Sequence, residues 1–182
     1  MTVIGISGSY GGLNLGDEAI LTSAIEQLRA TVPGVEVVVF TRNAPHTREN
    51  HTVDRVLNPR EAMRDEITPE VERLDLLLLG GGGILYDSEA QTYLREVTIA
   101  QRLGVPTYTF AIGVGPLKDR VERDAVREGL DRMAGITVRE LSAKRLIEEI
   151  GVQVPVTVTA DPALLLTPEP STEDMLAEAG IP

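Results

Sequence analysis

The sequence contains no cysteine and no tryptophan, and aromatic residues make up only 3% of its 182 positions. Without cysteine there is no disulfide, no thiolate metal site and no thiol nucleophile. With so few aromatics, a core has to be built from Val, Ile, Leu and Ala, which suits a buried parallel sheet. Long hydrophobic runs are also missing. None approaches the roughly 20 apolar residues that a membrane-crossing helix needs. The first residues lack the charged, apolar and small-residue regions of a secretory signal, because Met1-Thr2-Val3 leads directly into strand-like sequence. Positive charge is scarce: 17 Lys and Arg against 28 Asp and Glu leave a net charge of −11. That argues against a nucleic-acid footprint and against binding to an anionic membrane surface. An anionic substrate would need a local cationic site working against the global field.

What is present is an alternation of short apolar runs with amphipathic stretches. Thr2–Gly8, Glu36–Thr41, Asp75–Leu79, Thr107–Ile112, Ile136–Arg139 and Pro155–Ala160 read as strands. Asp17–Ala30 reads as a helix, with Ile20, Leu21, Ala24, Ile25 and Leu28 on one face. Ser88–Leu103, Asp119–Met133 and Leu141–Ile150 read as three more. Pro59–Leu74 reads as one or two short helices, and the polar stretch Arg42–Thr52 as loop. Repeated βα units predict an α/β, Rossmann-like three-layer α/β/α fold with a mostly parallel sheet. One such domain spans residues 1–167. The Pro- and Glu-rich residues 168–182 read as a linker or cut point.

In folds of this kind ligands bind outside the carboxyl ends of the strands, so the residues after each strand carry the functional reading. After the first come Ser9-Tyr10-Gly11-Gly12-Leu13-Asn14-Leu15-Gly16-Asp17-Glu18. The glycines could free backbone N–H groups for an anion or hydroxyl, and the two carboxylates suit a helix N-terminus. A plain glycine turn with an acidic first turn fits equally well. After Asp75–Leu79 come four glycines, Gly80–Gly83, and then Asp87. Four in a row suggest positive φ angles and close approach to a ligand or to a neighbouring loop. Gly113-Val114-Gly115-Pro116 follows the next strand, Arg139 the one after, and Asp161-Pro162 the last. Arg139 could clamp a carboxylate or phosphate, or pair with a nearby acid such as Asp161. His46 and His51 lack a metal-ligand pattern, so no metal site is expected and two solvated histidines are. The turn is neither a Walker loop nor a strict GxGxxG. Thr41-Arg42 stands where a nicotinamide-binding domain carries an acid.

The order of these segments is more specific than any one of them. Gly16-Asp17-Glu18-Ala19-Ile20-Leu21, Gly80–Gly83 with Asp87, Gly113-Val114-Gly115-Pro116, Val138-Arg139-Glu140-Leu141-Ser142 and Ala160-Asp161-Pro162-Ala163 together resemble the polysaccharide pyruvyl transferase family. The likeness runs from about Val3 to Leu166. It looks closest to the branch that pyruvylates cell-wall polysaccharide for surface-layer attachment.

The resemblance implies one half of a two-domain fold like that of the B-type glycosyltransferases, with the active site between the halves. It implies a cytoplasmic transferase, at or near the inner face of the membrane. That enzyme moves the pyruvyl group of phosphoenolpyruvate onto a sugar or lipid-linked oligosaccharide as a ketal. Phosphoenolpyruvate is then the donor substrate and no cofactor is called for; self-association is left open. This chain would be the N-terminal, acceptor-side half, inactive alone, with the general acid and most donor-binding cations in the other half. On that reading Asp17 is the catalytic base. Asn14, Gly16, Glu18, Gly81, Gly82, Gly83, Asp87 and Arg139 bind substrate, the last across the cleft. Two other readings stay open: a glycosyltransferase domain using a nucleotide sugar, and a non-catalytic sugar-binding module.

Overall fold

The computed structural model describes residues 1–167 together with Pro170, Met175, Ala177 and Gly180. The stretch expected to be a linker, residues 168–182, lies largely outside the described residues. The chain runs β1 (Val3–Gly8), α1 (Leu15–Thr31), β2 (Glu36–Phe40), α2 (Ala44–Asn50), β3 (Arg55–Leu57), α3 (Arg64–Glu72), β4 (Leu76–Gly80) and β5 (Gly83–Leu85). It continues through α4 (Ala90–Arg102), β6 (Thr107–Phe110), β7 (Gly113–Val114), α5 (Arg120–Leu130), β8 (Ile136–Val138), α6 (Leu141–Glu149), β9 (Val156–Val158) and a 3₁₀ turn at Pro162–Leu165.

Five strands form one sheet in the order β3-β2-β1-β4-β6, and every pairing in it is parallel. Two parallel pairs, β5 with β7 and β8 with β9, extend it, tied on through Tyr108–Gly135 and Ile112–Val138 bridges. Both faces of the main sheet are buried, and the side chains alternate between two cores as a pleated strand requires. Ile4, Ile6, Val37, Val39 and Leu78 pack with Leu21, Ala24 and Ile25 of α1. Val3, Val38, Phe40, Leu77 and Leu79 pack on the other face with residues of α3 and α4. A side chain at Gly5 would meet Leu74, Leu77 and Phe40, so even a methyl there would have to displace side chains of that layer.

Register decides where function can sit. Ser7 pairs with Phe40 and Gly8 with Gly80, while Gly80 pairs with Phe110. The carboxyl ends of β1, β2, β4 and β6 therefore finish level, and the segments that follow them share one rim. The 3₁₀ turn closes that rim by packing against α1.

The structure differs from the sequence reading in three places. Arg42–Thr52 is not all loop, since it holds α2. That helix buries only Thr47 and so shows no apolar face; its start is marked by the Asn43 side chain accepting from His46 N, and by Pro45 in the first turn. The strand expected over Thr107–Ile112 stops at Phe110, because Ala111 takes a positive φ of 49°. Strands β3, β5 and β7 are two or three residues long, too short for alternation to register in a sequence.

Candidate functional site

Asn14 starts α1 by accepting from the backbone N–H of Gly16 (2.9 Å) and of Asp17 (3.4 Å). This cap fixes the first turn and puts Asp17 and Glu18 at the positive end of the helix, facing the rim. It also occupies the Asn14 carbonyl oxygen and the Gly16 amide. Glu18 is anchored at both oxygens. Oε1 accepts from Gly11 N at 2.8 Å, and Oε2 lies 2.9 Å from His51 Nε2. His51, whose side chain is only 4% exposed, also contacts Thr22 Oγ1 at 3.3 Å. The expectation of two solvated histidines is thus corrected: His51 is the clamp that ties Glu18, and through it the loop after β1, to the end of α2.

The two glycine-bearing turns meet directly. Tyr10 is fully buried and lies where the first two glycines of the run have no side chain. A Cβ on Gly80 would stand 2.9 Å from its hydroxyl, and one on Gly81 would stand 2.7 Å from its ring. Gly82 serves Asp17 instead, since a Cβ there would come within 2.2 Å of Asp17 Oδ1. Gly81 (φ 85°) and Gly82 (φ 67°) also need the left-handed region that glycine adopts freely. Gly83 begins β5 and faces open space. The run is therefore a cradle for Tyr10 and Asp17, with only its last member facing open space.

Asp17 is half-buried, and burial pushes its carboxyl above the ordinary carboxylate range. The nearby Ser9 hydroxyl and the charges of Arg42 and Arg139 oppose that rise, while Glu18 adds to it. Arg42 follows β2 and reaches over the loop, with Nη2 2.6 Å from Ser9 Oγ. Gly12 makes room for the guanidinium, because a Cβ there would sit 2.6 Å from that nitrogen. Tyr93 of α4 contacts the same Ser9 hydroxyl at 3.2 Å.

Arg139 stands at the far side of the rim, 27% exposed. Nη1 is 2.8 Å from Asp161 Oδ2, and Nε is 3.1 Å from Glu140 Oε2. Asp161 also accepts from Ala163 N in its own turn. Asp87 is bound elsewhere: its carboxylate accepts from Lys118 N at 2.9 Å and Asp119 N at 3.1 Å. Those backbone N–H groups hold its carboxyl below the usual range. Its contacts thus go to the 116–119 turn.

Two cavities border the rim. One of about 330 Å³ is apolar, lined by Phe110, Ala111, Asp161, Pro162, Leu164 and Leu165 among others. A smaller one of about 40 Å³ lies between β1, β2 and α4, lined by Ser7, Thr41, Arg42, Tyr93 and Glu96 among others. Among the described residues no group of three or more His, Asp or Glu side chains could hold a metal ion.

The structure thus brings Asp17, Glu18, Gly81, Gly82 and Arg139 to one rim, with Asn14 and Gly16 at its helical edge. It adds Ser9, Tyr10, Arg42, Tyr93 and His51, which sequence reasoning did not single out for the site. Ser9 and Arg42 had a legible signal, since each stands directly after an expected strand.

A family model described as polysaccharide pyruvyl transferase matches residues 14–179. No curated protein sequence matches the chain. Among solved structures, the chain is similar to the UDP-GlcNAc 2-epimerase of Neisseria meningitidis, solved bound to UDP-GlcNAc, with a TM-score of 0.59 and 14% identity. It is equally similar, at 0.59 and 14%, to a Listeria monocytogenes protein assigned by name as a UDP-N-acetylglucosamine 2-epimerase. Each match covers 90% of this chain, which spans 47% and 46% of those chains. These likenesses show the fold: an α/β unit with a parallel five-stranded sheet, matching about half of a GT-B-like chain.

Proposed function

The chain belongs to the polysaccharide pyruvyl transferase family, and from that premise we propose that it is the acceptor-side half of an enzyme that transfers the pyruvyl group of phosphoenolpyruvate to a cell-wall or exopolysaccharide sugar. Two sugar hydroxyls add to C2 of the donor, and the C–O bond to phosphate breaks. One hydroxyl proton ends on the methylene, which becomes methyl. The other leaves with phosphate, and the product is a cyclic ketal.

A base for the acceptor hydroxyl is the part this chain supplies. The observation that supports it most is the setting of Asp17: a half-buried carboxylate on the helix-facing side of the rim, raised by burial, lying on Gly82. A raised carboxyl sits closer to the working pH and is a stronger base than an ordinary aspartate. Gly83 and the free amide of Asn14 are the groups we assign to the acceptor. Arg139 reaches the donor carboxylate by exchanging Glu140 for it, while Asp161 holds the guanidinium in place. The surface-layer branch and a site at the inner membrane face belong to the same reading.

The test uses the full-length protein with phosphoenolpyruvate and lipid-linked or nucleotide-linked sugar acceptors. Phosphate release coupled to a ketal mass gain on the sugar is expected. Asp17→Asn should lower kcat by at least about 100-fold, the range for loss of a general base. The wild-type rate should fall as pH drops through the raised Asp17 value, because the base works only when ionised. Nucleotide release from a sugar donor, with no phosphate from phosphoenolpyruvate, would replace this reading with glycosyl transfer. A normal rate in Asp17→Asn would remove the base assignment.

A further inference from the structure

Positive charge gathers at the smaller cavity on the rim. Arg42 from just beyond β2, Arg60 from the segment after β3 and Arg95 of α4 all line it, beside Ser7 and Glu96. We propose that this pocket is a phosphate-binding site and, resting on the reading of this chain as the acceptor-side half, that it holds the phosphate of a phosphate-linked sugar acceptor. What neutralises these three arginines sets them apart. Arg29, Arg73, Arg123 and Arg132 each have a carboxylate oxygen within 3.0 Å. Arg42 instead donates to the Ser9 hydroxyl at 2.6 Å and the Ser9 carbonyl at 3.4 Å, and among the described residues it pairs with no carboxylate. Arg95 donates to the carbonyls of Pro59 and Ala62, and Glu96 Oε1 stands 3.9 Å from its Nε. Arg60 Nη2 lies 3.3 Å from Glu89 Oε2, and both side chains are partly exposed. Hydroxyl and carbonyl oxygens fix a guanidinium in place without cancelling its charge. In a chain of net charge −11, this is the local cationic site that an anionic substrate requires.

Three guanidinium groups arriving from three segments suit a tetrahedral oxyanion, which offers oxygens on every side. A planar carboxylate is satisfied by one guanidinium fork. The cavity of about 40 Å³ is several times the roughly 10–15 Å³ that one water needs. It admits a phosphate group and leaves the attached sugar outside, at the rim. The acid that lines it, Glu96, is 3% exposed, and Ser7 donates to its Oε2 at 3.2 Å. Burial pushes that carboxyl up toward its neutral form, which does not repel an anion. Through Ser9, Arg42 also joins the pocket to the loop that leads into α1 and Asp17. A phosphate in the pocket and a sugar hydroxyl at Asp17 then belong to one acceptor molecule.

The experiment has two arms. In the first, the full-length protein is titrated calorimetrically with inorganic pyrophosphate at low salt, and binding is expected. Arg60→Ala and Arg42→Ala should each weaken it roughly tenfold, the worth of one hydrogen bond to a charged group. Arg60 is 44% exposed and pairs with the partly exposed Glu89, so its variant decides alone if Arg42→Ala does not fold. Pyrophosphate that fails to bind, or binds Arg60→Ala as tightly as wild type, overturns the site. Binding lost in Arg139→Ala and kept in the other two overturns it as well, because the anion then sits on the donor side. In the second arm, kcat/KM of the full-length enzyme is compared for a diphosphate-linked sugar acceptor and for the methyl glycoside of the same sugar. Arg60→Ala should cut the preference for the diphosphate-linked acceptor roughly tenfold. An unchanged preference, or a loss that falls on KM for phosphoenolpyruvate instead, overturns the assignment to the acceptor. If wild type pyruvylates no acceptor, the reading of the reaction falls and the acceptor assignment with it, while the titration still decides the phosphate site.

Discussion

Asp17 and Glu96 are both carboxyls that burial pushes upward, and they differ in what faces them. Asp17 meets Ser9 and two arginines at an open rim. Glu96 is 3% exposed inside α4; Ser7 donates to its Oε2 at 3.2 Å, and its Oε1 has no hydrogen-bond partner. Burial dominates its shift, with Ser7, Arg95 and Arg60 opposing it. An acid whose folded value lies above its unfolded one binds more protons folded than unfolded. The stability linked to Glu96 is then fully present below the ordinary glutamate range, and is lost as pH rises through the folded value. Glu96→Gln removes the ionisation and keeps the shape. The variant should be more stable than wild type at pH 7.5 by about 1 kcal/mol. That advantage should shrink toward nothing near pH 4 in denaturant titrations. A variant less stable than wild type at both pH values would show that the ionised group is satisfied by contacts other than these.

At the scale of elements, the run Gly80–Gly83 shows how residues identical in sequence do different work. Gly82 has a φ of 67°, and its missing Cβ leaves the space that Asp17 Oδ1 fills. Gly82→Ala combines backbone strain with a clash, and should cost about 1–3 kcal/mol. Gly83→Ala adds a methyl to open space, and its midpoint should stay within about 0.5 kcal/mol of wild type. Chemical denaturation of the two variants checks the contrast; equal losses would mean the run acts only as a turn. The run and its place after β4 were legible in the sequence, because a continuous apolar stretch ends there. The division of labour was not. It depends on Tyr10, seventy residues earlier, whose aromatic ring reads as one more core side chain until the register of β1 and β4 sets it beside Gly80. Helices with an apolar stripe, such as α1, were legible for the reason that they bury one face. Helix α2 was not, since it buries a single threonine and is held by its cap. The same limit hid His51, whose partner Glu18 lies 33 residues away.

For the whole molecule the governing quantity is the net charge of −11. Most of its ion pairs are between at least partly exposed side chains, Arg29–Asp54 and Arg132–Glu128 among them, and such pairs contribute about 0–1 kcal/mol each. Salt acts on two opposing interactions here. The attraction within a pair operates across about 3 Å, well inside the screening length of about 8 Å at 0.15 M, so it is weakened only in part. Repulsion among the surplus carboxylates is spread over the molecule and acts over longer distances. At about 0.01 M the screening length is about 30 Å and that repulsion is nearly unscreened. Adding salt should therefore remove more repulsion than attraction and stabilise the fold. The unfolding temperature should rise between about 0.01 and 0.15 M sodium chloride, and then level off as the screening length falls below the spacing of the surplus charges. Potassium chloride should give the same curve, since only ionic strength enters. A falling temperature over that range would mean that the arginine pairs outweigh the surplus, and that the acidic balance is offset locally by pairs such as Arg73 with Glu36 and Glu70.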